Sequence, residues 1–418
     1  MREMKDSGIE WIGTIPFDWK CCKQKYEIQL INGRAYSDSE FEEDGKYRIL
    51  RVGNLFSNPT WYTSSLELPP DKYCENGDLL YSWSMSYAPV IWSGEKVIYH
   101  YHIWKTKLSS NLNKKFAYYY LSALTDALKA KIHETTMGFI TMGVMNNSYI
   151  AFPCLKEQEK IVSFLDSQCS EIDALSADIQ KEIETLEQYK RSVITEAVTK
   201  GLNPDVEMKD SGIGYIGIIP NHWVVEKIKY HLKYRGNRNP GGVQVLSVYR
   251  EYGVIPKDSR DDNHNVTSED TSNYRYVRVG DFVINKMKAW QGSMAISDYE
   301  GIVSPAYYVY EFSDEHFDRK YFHYLLRNKM YATEFLRVSG GIRVGQWDLS
   351  AYDFENTMVP MPPIKEQKKI AAFLDTKSTE IDSLIGEKKR QLEILDSYKK
   401  SFIYEYVTGK KEVPTYES

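Results

Sequence analysis

The chain is poor in cysteine, has no long apolar run and carries no strong net charge. Its 418 residues include five cysteines without paired metal-ligand spacing, which predicts free thiols in a reducing compartment. The charged segment 1–6 leads into no apolar stretch, and no run of 18 apolar residues occurs, so neither a signal peptide nor a membrane span is predicted. These absences predict a cytoplasmic protein.

Catalytic motifs are missing as well. Gly45-Lys46 and Gly409-Lys410 lack the upstream glycine and the following hydroxyl of a phosphate loop. Neither a glycine-rich cofactor loop nor the Asn/Asp-Pro-Pro-Tyr/Phe tetrapeptide of amino-methyltransferases is present. His100-x-His102 falls in a strand-like run, where packing is the favoured interpretation over metal binding. The sequence therefore predicts no catalytic residue, no metal and no cofactor in this chain.

The charge balance limits the partners. A net charge of −5 with 27% charged residues does not suit a general polyanion binder, because phosphates are contacted by lysine and arginine. Any nucleic-acid surface must be a local patch or be completed by a partner. The 33 tyrosines and 9 tryptophans supply core volume and interface contacts.

What the chain has is an internal duplication. Residues 4–19 return almost unchanged as 208–223, and 153–199 align with 362–408 with about 22 of 47 positions identical. The stretches between these repeats, 20–150 and 224–358, barely resemble each other. A constant frame around divergent inserts predicts a pseudo-twofold molecule that presents two different surfaces.

Each closing repeat predicts a long helix, entered after Pro-x-x-Lys-Glu-Gln at Pro153 and Pro362, with the first ending near Thr199–Gly201. Matched heptad periods predict that the two helices pack as a coiled coil. A pseudo-twofold axis between the two head-to-tail repeats predicts that they run antiparallel. The alternative, that each helix packs only on its own domain, stays open. The predicted interface residues are Ile172, Leu175, Ile179, Leu186, Val193, Ile381, Leu384, Leu395 and Phe402.

The inserts combine aromatic β-rich runs (46–52, 79–83, 97–101 and 303–312) with helical stretches at 114–131 and 319–335. They share sparse markers, Gly77-Asp78-Leu79 with Gly280-Asp281-Phe282 and Gly138–Gly143 with Gly340–Gly345, which predict one fold with different surfaces. The predicted class is mixed α/β (α+β), with two globular domains joined by two long helices. The predicted boundaries are 1–152, 153–203, 204–361 and 362–418.

The repeated Met-Lys-Asp-Ser-Gly-Ile-x-Trp/Tyr-Ile-Gly-x-Ile-Pro-x-x-Trp, the repeated Pro-x-x-Lys-Glu-Gln-x-Lys-Ile-x-x-Phe-Leu-Asp and the long Glu-Ile-Asp helices resemble the specificity subunit of Type I restriction-modification systems. The resemblance covers essentially the whole chain. It implies two target recognition domains held apart by the coiled coil, and a non-catalytic subunit at the prokaryotic nucleoid. It also implies two methyltransferase subunits that bind S-adenosylmethionine, and restriction/translocase subunits that use ATP and Mg²⁺.

Each domain is then expected to contact half of a bipartite, asymmetric DNA site, with basic side chains on phosphates and Arg, Lys, Asn or Gln on base edges. The heptad stretch 172–196 is about 37 Å long, near one turn of duplex. The candidate DNA-binding residues are Arg34, Arg48, Arg51 and Thr141 in the first domain and Arg235, Arg238, Lys286, Lys288, Gln291 and Arg343 in the second.

Two other functions stay open. One is a coiled-coil scaffold whose variable domains bind proteins. The other is the recognition part of a fused nuclease or methyltransferase that has been truncated. A neighbouring gene for an adenine methyltransferase would favour the DNA-specificity interpretation.

Overall fold

The computed structural model describes residues 2–84, 86–134, 140–250, 252–259, 267–313, 317–343 and 346–414. The chain forms two compact units, unit 1 from residues 1–180 and 390–418 and unit 2 from residues 181–389. The division falls inside both long helices, whereas the sequence-based boundaries follow the repeats. Each unit therefore takes in one insert together with parts of both long helices.

Unit 1 is built on two four-stranded sheets, with strand orders β4-β11-β8-β9 and β6-β5-β10-β7, and on the pairs β1-β2 and β3-β12. Strand β5 runs parallel to β10, and the other pairs are antiparallel. The core packs the sheet β4-β11-β8-β9 against α2 and the first turns of α4. The strands are β1 (Met4–Ile9), β2 (Gly13–Pro16), β3 (Lys20–Lys23), β4 (Ile28–Asn32), β5 (Tyr47–Leu50), β6 (Tyr62–Ser64), β7 (Tyr73–Cys74), β8 (Leu79–Ser82), β9 (Ala88–Ile91), β10 (Val97–Tyr99), β11 (Ile103–Leu108) and β12 (Tyr149–Phe152), and the helices are α1 (Val52–Phe56), α2 (Lys114–Glu134), α3 (Met142–Asn147) and α4 (Leu155–Lys200).

Unit 2 repeats this plan. Its main sheet has the order β16-β23-β20-β21, and β15-β26 and β13-β14 repeat the frame pairs. A parallel bridge between Val245 and Ile302 takes the place of the β5-β10 pair. The strands are β13 (Met208–Asp210), β14 (Ile218–Pro220), β15 (Val224–Lys227), β16 (Leu232–Tyr234), β17 (Leu246–Tyr249), β18 (Gly253–Pro256), β19 (Arg275–Val277), β20 (Phe282–Asn285), β21 (Met294–Ile296), β22 (Gly301–Val303), β23 (Tyr307–Phe312), β24 (Gly340–Arg343), β25 (Gln346–Asp348) and β26 (Met358–Met361), and the helices are α5 (Arg319–Leu326), α6 (Lys329–Val338), α7 (Ala351–Asn356) and α8 (Ile364–Val407). The prediction that divergent inserts share one fold is confirmed.

Three local predictions need correction. The run 303–312 is two strands, because Pro305 lies in the turn between β22 and β23. The helix predicted at 319–335 is two helices, because the Asn328 side chain accepts a hydrogen bond from the Met330 N–H and starts α6. The predicted match of Thr141 with Arg343 is wrong, because Thr141 caps α3 and the residue that caps the corresponding helix α7 is Ser350. Residues 138–139 and 344–345 of the two predicted markers lie outside the described residues.

The long helices α4 and α8 pack against each other, and their contacts run antiparallel within each unit. In unit 1 the Phe164 ring lies 5.0 Å from the Tyr406 ring, and Lys399 Nζ lies 2.6 Å from Asp173. In unit 2 Lys388 pairs with Glu182 at 2.5 Å and Lys190 with Asp382 at 2.6 Å. In both units a higher number on α4 meets a lower number on α8. The predicted antiparallel packing is confirmed.

Seven of the nine predicted interface residues occupy seam positions, and two do not. Ile179, Ile381 and Phe402 are buried, and Ile172, Leu186, Val193 and Leu395 are half-buried, as seam positions require. Leu175 and Leu384, however, are 50% and 47% exposed. The seam continues four residues after Ile172, through Ser176, instead of three. Ile172 therefore occupies a d position, and the leucine three residues later faces solvent.

The repeated Lys-Glu-Gln motif anchors each long helix to its insert. Gln158 is fully buried; its Oε1 accepts from the Asn113 N–H at 2.8 Å, and its Nε2 donates to the Asn111 and Pro153 carbonyls. Gln367 is equally buried, accepts from the Asp318 N–H at 2.8 Å and donates to the Pro362 carbonyl. These contacts satisfy backbone groups at the entrances of α2 and α5, which would otherwise be costly to bury.

The Phe-Leu-Asp and tryptophan motifs add further anchors. Asp166 contacts Lys115 and Tyr119, and Asp375 contacts the corresponding Lys320 and Tyr324. Trp19 and Trp223 are buried in their units. Each packs against the glycine that ends a long helix: Gly409, with φ 71°, lies against Pro16 and Trp19, and Gly201, with φ 75°, lies against Trp223. The frame residues thus hold each insert to the helices in the same way.

All five cysteines are free, as predicted. Among the described residues, no helix is long and apolar enough to cross a membrane.

Candidate nucleic-acid interface

The inserts differ where the chain leaves β8 in unit 1 and β20 in unit 2, which occupy the same place in the two main sheets. In unit 1 the chain leaves β8 at Ser82, and Trp83 turns against the 100–102 segment that joins β10 to β11. The Trp83 indole donates to the Tyr101 carbonyl at 2.7 Å, and the Trp83 N–H donates to the His102 carbonyl at 3.1 Å. These bonds fix two turns side by side at one end of the sheet.

The rings of these two turns form a cluster that we call the aromatic corner: Trp83, His100, Tyr101 and His102. The Tyr101 ring lies 4.1 Å from the His102 ring and 4.4 Å from the His100 ring, and Trp83 meets His102 edge-on at 5.2 Å. Tyr101 is 38% exposed. The corner therefore presents polar aromatic edges to solvent above a packed base.

Both imidazoles of the corner are held neutral. Burial lowers the pKa of His100 to about 4, helped by His102 and Arg51. Burial and Arg51 also lower the pKa of His102. At neutral pH each ring then offers one N–H donor and one nitrogen acceptor. The His100 Nδ1 faces the His102 N–H at 3.4 Å, which assigns the ring proton to Nε2.

Two of the predicted arginines adjoin the corner and one does not. Arg34 forms a backbone bridge with His100, pairs with Glu40 at 2.5 Å and lies over the Tyr36 ring. Arg51 is exposed and lies 5.1 Å over the Tyr62 ring. Its positive charge helps to lower the pKa of both His100 and His102. Arg48 lies at the opposite end of β5, over Trp61 and 3.2 Å from Glu95.

Thr141 has a structural explanation, because its hydroxyl accepts from the Val144 N–H and caps α3. The preceding residues 135–139 lie outside the described part of the chain.

In unit 2 the corresponding exit from β20 is a cationic turn, which we define as residues 286–291. Lys286 Nζ lies 2.9 Å from Asp348 of β25, and the Trp290 ring meets Trp347 of the same strand at 5.1 Å. Lys288 is exposed and Gln291 is half-buried. The structure thus brings three of the predicted residues together on one turn.

Arg343 is the last residue of β24, opposite Gln346, and its side chain lies outside the described residues. Its strand pairs with β25, which contacts the cationic turn.

The other two predicted arginines of unit 2 behave differently. Arg235 has an 11% exposed side chain, 2.5 Å from Glu311 and 3.2 Å from Asp281. A buried guanidinium between two carboxylates favours a structural role over the predicted DNA contact. Arg238 is exposed and forms a backbone bridge with Arg275.

Sequence reasoning missed the residues that the turns bring together. Trp83, Tyr101 and Trp290 belong to no motif, and only the high aromatic content hints at them. His102 belongs to the pair His100-x-His102, for which packing is the favoured interpretation. Arg275 was missed too: it lies 5.2 Å over Tyr234 and 5.5 Å over Tyr308, and burial lowers its pKa. Its partners come from separate strands, so no local spacing predicts the cluster.

In the part of the chain that the structure describes, no three His, Cys, Asp or Glu side chains lie close enough together to hold a metal ion.

The sequence profile described as "Type I restriction modification DNA specificity domain" matches residues 16–185 and 233–394. The chain belongs to this family. The two matches coincide with the two repeats, each beginning near a frame strand and ending within a long helix.

Curated relatives of the family match nearly the whole chain. The specificity subunit of the Type I restriction enzyme EcoBI from Escherichia coli is 21% identical over 432 residues, 98% of this chain and 90% of the relative. That of MjaVIII from Methanocaldococcus jannaschii is 24% identical over 425 residues, 96% and 94% of the two chains. A solved chain from work on assembly and conformational transition of the type I R-M system superposes with a TM-score of 0.64 at 14% identity, covering 95% of this chain and 99% of the other. This last likeness supports the fold.

Proposed function

We propose that this chain is a DNA-specificity subunit that reads a bipartite, asymmetric site, one half-site per insert. The observation that carries the proposal is the contrast between the two strand-end turns. One fold presents an aromatic corner in unit 1 and a cationic turn in unit 2, in a family of DNA specificity domains. Different side chains at corresponding positions of one scaffold suit two different half-sites.

The recognition chemistry follows from these side chains. Exposed Lys288, Arg238 and Arg51 supply cations for phosphates or guanine edges, while Gln291 and the neutral histidines supply paired donors and acceptors for bases. The net charge of −5 fits a subunit whose DNA affinity is completed by partners.

The chain contributes recognition, and partners contribute the chemistry. Since both units carry the same frame anchors, the frame offers two equivalent copies of any docking surface, which suits two methyltransferase subunits. Those subunits would bind S-adenosylmethionine, and restriction/translocase subunits would use ATP and Mg²⁺. The coiled coil would set the distance between the half-sites. In this scheme the subunit itself is non-catalytic and acts at the nucleoid in the cytoplasm.

An insert exchange tests the modular proposal. Residues 20–150 are replaced by the insert of another family member, and methylated sites are mapped in a host that supplies the methyltransferase subunit. One half-site is expected to change while the other half-site is kept. A change in both half-sites would contradict one insert per half-site. Absence of any methylated motif that depends on the wild-type chain would favour a protein-binding scaffold.

Purified components test the division of labour. The isolated chain with S-adenosylmethionine and DNA is expected to transfer no methyl groups. Adding the methyltransferase subunit is expected to produce sequence-specific methylation and a steeper salt dependence of binding. Methylation by the chain alone would contradict its non-catalytic role and would favour a fused or truncated enzyme.

A further inference from the structure

The aromatic corner of unit 1 has a feature that no sequence motif predicts: a rigid ring stack that runs from the core to the surface. We propose that Arg51, Tyr101 and His102 contact base edges of the first half-site, with Trp83 as the fixed support, and that Arg51 reads a guanine. This inference rests on the proposed function, since it assigns residues to one of the two half-sites.

The support is rigid because each ring is held by the next. The Trp83 ring stacks on buried Trp104 at 5.6 Å with 16° between the planes, and Trp104 stacks on buried Tyr81 at 5.7 Å with 13°. The Tyr81 hydroxyl is fixed by Thr125 Oγ1 at 2.9 Å. A site that must discriminate between bases needs such fixed side chains, because a shift of about 1 Å breaks a paired hydrogen bond.

The outer layer of the corner offers hydrogen-bonding groups without a surplus of negative charge. The Tyr101 side chain is partly exposed, and the neutral imidazole of His102 lies against both Tyr101 and Trp83. Neutral donors and acceptors on fixed rings carry sequence information, whereas cations on flexible side chains chiefly bind phosphate.

Arg51 supplies the cation of this surface. Its guanidinium lies over Tyr62 and close enough to both histidines to lower their pKa. Among the described residues it has no carboxylate within 4 Å, whereas Arg34 and Arg48 each have one. An exposed guanidinium without an acidic partner, preoriented over an aromatic ring, suits the bidentate contact to guanine O6 and N7.

The experiment uses the complex of the full chain with its methyltransferase subunit and a panel of duplexes in which each base pair of either half-site is varied. Arg51→Gln is expected to reduce discrimination at one G·C pair of the first half-site by about 10- to 100-fold. Tyr101→Phe and His102→Gln are expected to relax neighbouring positions by smaller factors. Discrimination in the second half-site should be unchanged in all three variants, which also reports intact folding.

Control variants are Lys96→Gln, an exposed cation that lies 4.8 Å over the Tyr73 ring but pairs with Glu75 at 3.0 Å, and Tyr149→Ala, which removes a 41% exposed ring on strand β12. Both are expected to leave base preferences unchanged.

If Arg51→Gln weakens binding to every sequence alike, Arg51 contacts a phosphate and the inference is overturned. Unchanged discrimination at every position would overturn it as well. Should the wild-type complex show no bipartite preference at all, the proposed function itself has failed, and that result is separate from the behaviour of the variants.

Discussion

The two units agree in their frame and differ in their strand-end turns. Gln158 and Gln367 make corresponding contacts to backbone groups, and Asp166 and Asp375 each hold a lysine and a tyrosine. Yet the exit from β8 is aromatic and the exit from β20 is cationic. Buried polar groups need hydrogen-bond partners, so a change in one of these frame residues leaves another group without its partner. The exposed turns carry no such requirement, and their chemistry is free to differ between the units.

The largest effect is expected from changing the phase of the coiled coil. Insertion of five residues after Thr185 and after Gly386, between the Glu182–Lys388 and Lys190–Asp382 ion pairs, rotates the following seam by about 140°. Assembly with the methyltransferase subunit, followed by gel filtration and methylation assay, should be lost.

Seven residues inserted at the same two places keep the seam in phase and serve as the matched variant. They add about 10 Å to each helix. The methylated sites should show both half-sites unchanged and a gap longer by one to three base pairs. A gap that stays constant in an active seven-residue variant would show that the helices do not set the spacing.

The next largest effect is expected from removing the buried glutamines that hold each insert to its long helix. Gln158→Leu and Gln367→Leu each leave a part-buried backbone N–H without its acceptor and a proline carbonyl without its donor. Each is expected to lower the free energy of unfolding by about 2–4 kcal/mol, measured by urea denaturation at pH 7. If only one of the two variants is destabilised, the frames are not equivalent.

Both units should lose stability in acid, but through histidines at different places, since burial lowers the pKa of His100 in unit 1 to about 4. Burial, followed by the neighbouring Arg327, lowers the pKa of His323 in unit 2 to about 3, and the equivalent residue in unit 1 is Tyr118. Because the unfolded state binds the proton more tightly, stability is full above about pH 6.5 and falls as the pH approaches 3. This group should contribute a loss of about 3 kcal/mol by pH 4.

His323→Gln keeps an acceptor for Arg327, whose Nη1 lies 3.0 Å from the histidine Nε2. The variant should therefore reduce the slope of unfolding free energy against pH between 7 and 4, while the part that depends on His100 remains. A slope equal to that of the wild type would show that His323 is not an acid-sensitive group.

The smallest effect concerns an asymmetry of the seam. Lys388 pairs with Glu182, but the equivalent position on α4 is the buried Ile179. The lysine side chain is 30% exposed and the glutamate 55%, so the pair contributes little. Lys388→Ile should stabilise the protein by up to about 1 kcal/mol in thermal unfolding. A clear loss of stability would instead assign the pair a role in helix register.

The sequence predicts the repeat, the antiparallel helices and the shared insert fold, because duplication and heptad period are properties of residue order. It does not predict the phase beyond Ile172, since Leu175 and Leu384 look like seam residues and only the paired helix shows that Ser176 takes that place. The candidate DNA-binding residues fall into exposed and enclosed side chains for a similar reason. Nothing in the sequence distinguishes Arg51 from Arg235 as a candidate. In the structure Arg235 lies between the carboxylates of Asp281 and Glu311, which are distant in sequence, whereas Arg51 has no such partner among the described residues.

The division of the chain within its long helices has a consequence for synthesis. Unit 2 is one continuous segment and is complete when residue 389 leaves the ribosome. Unit 1 needs residues 390–418, whose Gly409 packs on Pro16 and Trp19. At 5–20 residues per second, synthesis of the rest of the chain takes roughly 10–50 s after the first insert and the start of α4 have been made. Only then is the C-terminal part of α8, which completes the core of unit 1, available. The domain that is made first is therefore the one that finishes folding last, and truncated or stalled chains expose the apolar seam of α4 to chaperones and proteases.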